Sequence, residues 1–125
     1  MTYYQKRFKQ SESDSKGKNK YSAKGTEYNG KWYHSKKEAR YAEQLDWMLK
    51  AGEIQSWKGQ HKIELKVNGQ QITNYYMDFI VTDKHGGIEF HEVKGFETSL
   101  WQIKWRLLEA TLDEVCKGAK MVLIK

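Results

Sequence analysis

The sequence predicts an α/β fold, a mixed four-stranded sheet in the order α-β-β-β-α-β flanked by helices, with a short hairpin and a flexible basic amino-terminal arm ahead of it. Three observations predict it. Two Asn-Gly pairs interrupt segments of strand character, two helical patterns carry their own start and stop signals, and the second helical pattern leads into the short apolar run Lys120–Ile124. A chain of 125 residues has room for one domain, residues 26–125, beside the arm, residues 1–25.

The arm is rich in Lys, Ser, Gln and Gly and holds no sustained period of 2 or 3.6, so it reads as flexible or ordered by a partner. Tyr3, Tyr4, Phe8 and Tyr21 lie among its lysines, either as stacking platforms for bases or as scattered tail residues. Thr26-Glu27-Tyr28 and Lys31-Trp32-Tyr33 flank Asn29-Gly30, which signals a tight hairpin. Ser35 and Glu38 form a capping box that opens a helix running to Lys50, with Gly52 as its stop. Glu38 falls on the apolar stripe of that helix with Ala42, Leu45 and Leu49, so a carboxylate stands on a face expected to be buried.

Three strands follow. His61–Val67 turns at Asn68-Gly69 into Gln71–Thr82, and the looser turn Asp83–Gly87 leads into Ile88–Gly95. A second helix is expected from Ser99 to Lys117, started by Thr98 and stopped by Gly118, delivering the last strand by a helical crossover. This helix carries two apolar stripes. Trp101, Trp105, Leu108 and Leu112 suit the sheet, while Leu100, Ile103, Leu107 and Ala110 suit another helix or a second subunit, hence a homodimer.

Composition narrows the function classes. One cysteine, Cys116, excludes an internal disulfide framework, and no Cys/His spacing matches a zinc site. No apolar run is long enough to span a bilayer, so no membrane role is expected and the cytoplasm is the expected location. Of the net charge of +6, residues 1–34 carry +5, with 8 Lys/Arg against 3 acids. A basic arm on a near-neutral body points to a polyanion, nucleic acid before membrane, or to a solubilising tail.

The chemistry gathers on the middle strands. With a five-residue loop at Asp83–Gly87, Thr82 faces Ile88 and Asp78 faces Glu92, and Lys94 follows two residues along on the same face. A one-residue slip would move Asp78 to the other side. Two close carboxylates repel unless a proton or a cation intervenes. A hard divalent ion, Mg²⁺ or Mn²⁺, suits Asp78, Glu92 and the Val93 backbone carbonyl, with Glu38 adding a third acid if its helix packs over the site. Lys94 beside such an ion could orient and help deprotonate a water. Lys36, Lys37, Lys104 and Arg106 are candidate phosphate contacts, or parts of solvated helix faces.

Plainer readings compete. The set could be a cross-strand salt-bridge cluster, and Glu38 could serve only as the capping-box acid. Asp78, however, interrupts the nearly continuous apolar run Tyr76–Val81, where a lone charge would be costly. His91 alternates away from Glu92 and reads as a surface or packing residue. Cys116 reads as packing, since no histidine is placed to activate it.

Met77-Asp78-Phe79, Glu92-Val93-Lys94-Gly95 and the earlier Ser35-Lys36-Lys37-Glu38-Ala39-Arg40 resemble the PD-(D/E)XK nuclease superfamily. Within it they are most similar to small phage-encoded endonucleases of the Holliday-junction-resolving endonuclease I type. The resemblance covers about residues 30–125, and Met77 stands where the superfamily pattern has proline. It implies a restriction-endonuclease-like fold, Mg²⁺- or Mn²⁺-dependent hydrolysis of DNA (branched DNA included), and a bacterial or phage-infected cell. By the same resemblance Glu38 is the helix glutamate, Asp78 the metal-binding aspartate, Glu92 the second acid and Lys94 the catalytic lysine. A non-catalytic DNA-binding module on the same scaffold and a protein-interaction domain are the rival readings.

Overall fold

The computed structural model describes residues 25–125. The arm, with Tyr3, Tyr4, Phe8 and Tyr21, lies outside the described residues except for Gly25. The described chain is mixed α/β. Strands β1 (Thr26–Tyr28) and β2 (Lys31–Tyr33) form the expected hairpin, with Asn29 and Gly30 at φ 54° and 80°. Both residues must be left-handed for a two-residue turn to match strand twist, which is why Asn-Gly is favoured there.

Helix α1 (Lys36–Lys50) starts as expected, with Ser35 Oγ accepting from the Glu38 amide at 3.1 Å. Strands β3 (Ile54–Val67), β4 (Gln70–Asp83), β5 (Ile88–Val93) and β6 (Lys120–Ile124) then form one sheet in that order. The first three are antiparallel and β6 is parallel to β5, as a helical crossover requires. The β4–β5 register is the expected one, from Thr82↔Ile88 to Phe79↔His91. Asp83 fixes this loop, because its Oδ1 accepts from the amides of His85 and Gly87, both at 2.8 Å.

Several boundaries differ from expectation. β3 begins seven residues before His61, at Ile54, pairing with the far end of β4. β5 ends at Val93 rather than Gly95. The crossover helix is broken into α2 (Ser99–Ala110) and α3 (Leu112–Val115). At the break Thr111 Oγ1 donates to the Leu107 carbonyl at 2.9 Å, a side-chain bond that competes with the helical ladder. Of the second apolar stripe, Leu100 and Ile103 lie outward, 63% and 65% exposed, while Leu107 packs against the core.

Two apolar layers sandwich the sheet. Ala39, Ala42 and Leu45 of α1 pack with Phe79, Val81 and Val93, and Trp57 joins them. Trp101 and Leu108 of α2 pack with Ile63, Leu65, Tyr75, Met77 and Phe90. The parity is informative. In β4, Phe79 and Val81 belong to the α1 layer, yet Tyr75 and Met77, also odd-numbered, belong to the α2 layer. In β3, Trp57 and Ile63 split the same way. A regular strand keeps alternate residues on one face, so both strands exchange faces, β4 at Asp78 and β3 near Gln60. Gln60 has φ 54°, a left-handed conformation inside a strand.

Candidate active site

The site lies where this exchange of faces occurs, between the start of α1 and the start of α2. Continuing the β4–β5 register by one residue sets Asp78 across from Glu92, as the loop length implies. Asp78 Oδ2 accepts from the Val93 amide at 2.9 Å, which pins it to the neighbouring strand. Lys94 Nζ stands 3.7 Å from Glu92 Oε2 and 4.9 Å from the centre of the Trp101 ring, so its ammonium has a carboxylate and a π face as neighbours. All four expected catalytic groups are buried: Glu38 4%, Asp78 2%, Glu92 0% and Lys94 9% exposed.

Ser35 caps the helix through the Glu38 amide, which leaves the Glu38 side chain for the interior. There Gln60 Nε2 donates to Glu38 Oε2 at 3.5 Å. Glu38 also lies close enough to Asp78 for the two carboxyls to interact, and two close carboxyls are not both ionised at low cost. Burial, and then the Asp78 charge, pushes Glu38 well above the ordinary carboxylate range, so the proton belongs on Glu38. Glu92 is pushed up to about 8, chiefly by burial and secondly by Asp78, with Lys94 and Tyr75 opposing. Burial lowers Lys94 against the pull of Glu92 and Asp78.

The surrounding residues extend what the sequence indicated. Tyr75 of β4, close enough to Glu92 for the two to interact, accepts from Trp101 Nε1 at 2.7 Å and links β4 to α2 beside the second acid. His91 is buried, at 5% exposure, and bonded on both ring nitrogens. Tyr41 lies 2.6 Å from Nδ1 and Glu89 Oε1 lies 2.8 Å from Nε2. This Tyr41–His91–Glu89 chain joins α1 to β5 behind the acids. It confirms a packing role for His91 on the face away from Glu92. Nothing in the sequence pattern identified Tyr41, Tyr75 or Gln60.

The expected phosphate contacts are distributed unevenly. Lys36 and Lys37 are exposed at the start of α1, and Lys37 Nζ donates to the Lys94 carbonyl at 3.4 Å, directly beside the site. Lys104 is half-buried and Arg106 exposed on α2. Lys31, missed at the sequence level, extends from the hairpin across β3. Its ammonium would lie 3.3 Å from a Cβ placed on Gly59, and the Asp78 carbonyl 3.5 Å. Cys116 packs in the α2 layer.

Among the described residues, no three His, Cys, Asp or Glu side chains are gathered as a set able to hold a metal ion. The acids meet as a chain, Glu38 to Asp78 and Asp78 to Glu92. Glu38 therefore joins the site through Asp78 rather than as part of a formed three-acid cage. The donor chemistry of Asp78 and Glu92 still fits a hard divalent cation. Both are buried oxygen donors whose mutual repulsion raises proton affinity at Glu92, and a cation relieves that repulsion as a proton does.

A mixed α/β domain with buried acids on two adjoining strands and a helix, and a buried lysine just past β5, is the class that fold and site define. By sequence the chain belongs to the family described as protein of unknown function DUF1064, whose family model matches residues 18–122. No curated protein and no solved structure matches it. No helix among the described residues is long and apolar enough to cross a membrane.

Proposed function

We propose that the chain is a metal-dependent DNA endonuclease of the PD-(D/E)XK type, with a restriction-endonuclease-like core. The observation that carries this reading is the burial of Asp78, Glu92 and Lys94 together where two strands exchange faces, with Glu38 buried beside them. A purely structural salt-bridge cluster would match its charges. Here three buried acids share one buried ammonium, so Glu38 and Glu92 are held with protons instead of cationic partners, a place that a divalent cation can take.

In this reading Asp78, Glu92 and the Val93 carbonyl would hold Mg²⁺ or Mn²⁺, which when bound stabilises charge growing on the phosphate and makes a bound water more acidic. Lys94 orients the attacking water and, with its proton affinity lowered by burial, can exchange a proton with it. Glu38 keeps Asp78 in place. Lys31 and Lys37 at the mouth, with Lys36, Lys104 and Arg106 further out, hold the DNA backbone, so affinity falls with salt and little base sequence is read.

The experiment offers the purified protein linear, nicked, flapped and four-way-junction DNA in Mg²⁺ or Mn²⁺. Metal-dependent cleavage of any of them supports the reading. Binding without cleavage in either metal overturns it in favour of a non-catalytic DNA-binding module, and absence of salt-dependent binding favours a protein-interaction domain.

A further inference from the structure

Three non-glycine residues among those described have positive φ: Asn29, Asn68 and Gln60, at 54°, 53° and 54°. The two asparagines sit in two-residue hairpin turns that require this conformation, and asparagine tolerates it. Gln60 has neither excuse. It lies inside a 14-residue strand, between the paired residues Gly59 and His61. A left-handed non-glycine residue there is strained and persists only where its surroundings impose it.

The surroundings are the acid site. Gly59↔Phe79 and His61↔Met77 set Gln60 across from Asp78, the residue at which β4 changes faces. From that position the exposed side chain reaches back to Glu38 Oε2. A chain of contacts then runs from Gln60 to Glu38, from Glu38 to Asp78, and from Asp78 to the Val93 amide beside Glu92. Glycine would adopt φ 54° without strain, so the strain is coupled to the carboxamide.

We infer that Gln60 is a positioning residue of this site: its backbone turns β3 so that Asp78 stands with Glu92, and its carboxamide restrains Glu38. The inference rests on the nuclease reading for its kinetic consequence, but not for its effect on cation binding.

The test compares wild-type, Gln60→Gly and Gln60→Val full-length proteins by urea unfolding, Mn²⁺ calorimetry of metal-free protein and cleavage kinetics. Gln60→Gly keeps the backbone and loses the amide. It is expected to hold or raise the urea midpoint, weaken Mn²⁺ binding about 10-fold and lower kcat about 10-fold or more, with KM for DNA nearly unchanged. Gln60→Val, unable to take positive φ, is expected to lower the urea midpoint as well. Wild-type kcat and Mn²⁺ affinity in Gln60→Gly overturn the side-chain role, and an unchanged midpoint in Gln60→Val overturns the backbone role. Wild-type protein that binds Mn²⁺ without cleaving overturns the nuclease reading alone, and the Mn²⁺ comparison then decides Gln60. Wild-type protein that neither binds Mn²⁺ nor cleaves overturns both.

Discussion

Replacing Glu92 by glutamine should stabilise the metal-free protein at alkaline pH. Glu92 is 0% exposed, and burial with the nearby Asp78 charge raises its carboxyl from 4.5 to about 8. The folded state therefore keeps a proton that the unfolded chain releases above 4.5. The stability this proton contributes is fully present below about 4.5 and is lost as pH rises toward 8, beyond which the folded protein holds a buried anion. At 1.36 kcal/mol per pH unit, the ceiling on the loss is about 5 kcal/mol. Glutamine removes it but also removes a carboxylate neighbour of Lys94, so a net gain of roughly 2–3 kcal/mol is expected near pH 9. Near pH 4.5 the two proteins should be close to equal. The assay is urea unfolding in EDTA from pH 4.5 to 9, with the difference between variant and wild type as the readout. The protonated Glu38 contributes a slope of the same sign to both proteins and cancels in that difference, except for the smaller part of its rise that the Glu92 charge causes. A difference that does not grow with pH, or a variant less stable than wild type at pH 9, would refute the reasoning.

Other consequences are tested with the same tools. Mg²⁺ or Mn²⁺ should raise the thermal midpoint of the wild type at pH 8 and leave that of Glu92→Gln nearly unchanged. Tyr41→Phe removes the 2.6 Å contact to His91 and should cost about 1–2 kcal/mol in chemical denaturation. Gly87→Ala would set a Cβ 2.7 Å from Asp83 Oδ2, forcing apart the loop that fixes the β4–β5 register. A loss of about 1–3 kcal/mol is expected, read as a lower urea midpoint. The same carboxyl is held below its usual value by the amides of Gly87 and His85. Its contribution is therefore present above 3.8 and lost as pH falls through the lower folded value, so acid unfolding of Asp83→Asn should begin at higher pH than in an otherwise matched control with an unchanged loop.

Much of the fold was legible because its turns state their own geometry. Asn29-Gly30 and Asn68-Gly69 demand left-handed residues, and the Asp83 side chain closes a loop whose length sets the partner of Asp78. That register carried the central expectation, and the side chains of Asp78, Glu92 and Lys94 do meet. The helix glutamate was legible as well, since a carboxylate on an apolar stripe needs a buried partner. Its partners were not, because Gln60 is 22 residues away and carries no turn signal.

The exchange of faces was hidden for a related reason. The run Tyr76–Val81 reads as a strand buried on both sides, and the same run results when a strand crosses between layers. The division of Tyr75 and Met77 from Phe79 and Val81 between the two layers distinguishes the two. The break at Thr111 was missed because threonine is compatible with a helix interior until its hydroxyl finds the Leu107 carbonyl. Leu100 and Ile103 show the limit of periodicity, which marks a face as apolar without naming what covers it.

The most direct test of the nuclease reading is cleavage of four-way-junction and linear DNA by wild-type protein, Asp78→Asn and Lys94→Met, each in Mn²⁺ and in EDTA. The expected result is metal-dependent cleavage by the wild type, a loss of at least about 100-fold in both variants, and DNA affinity close to unchanged in each. Full Mn²⁺-dependent cleavage by both variants, or none by the wild type on any substrate, would contradict it.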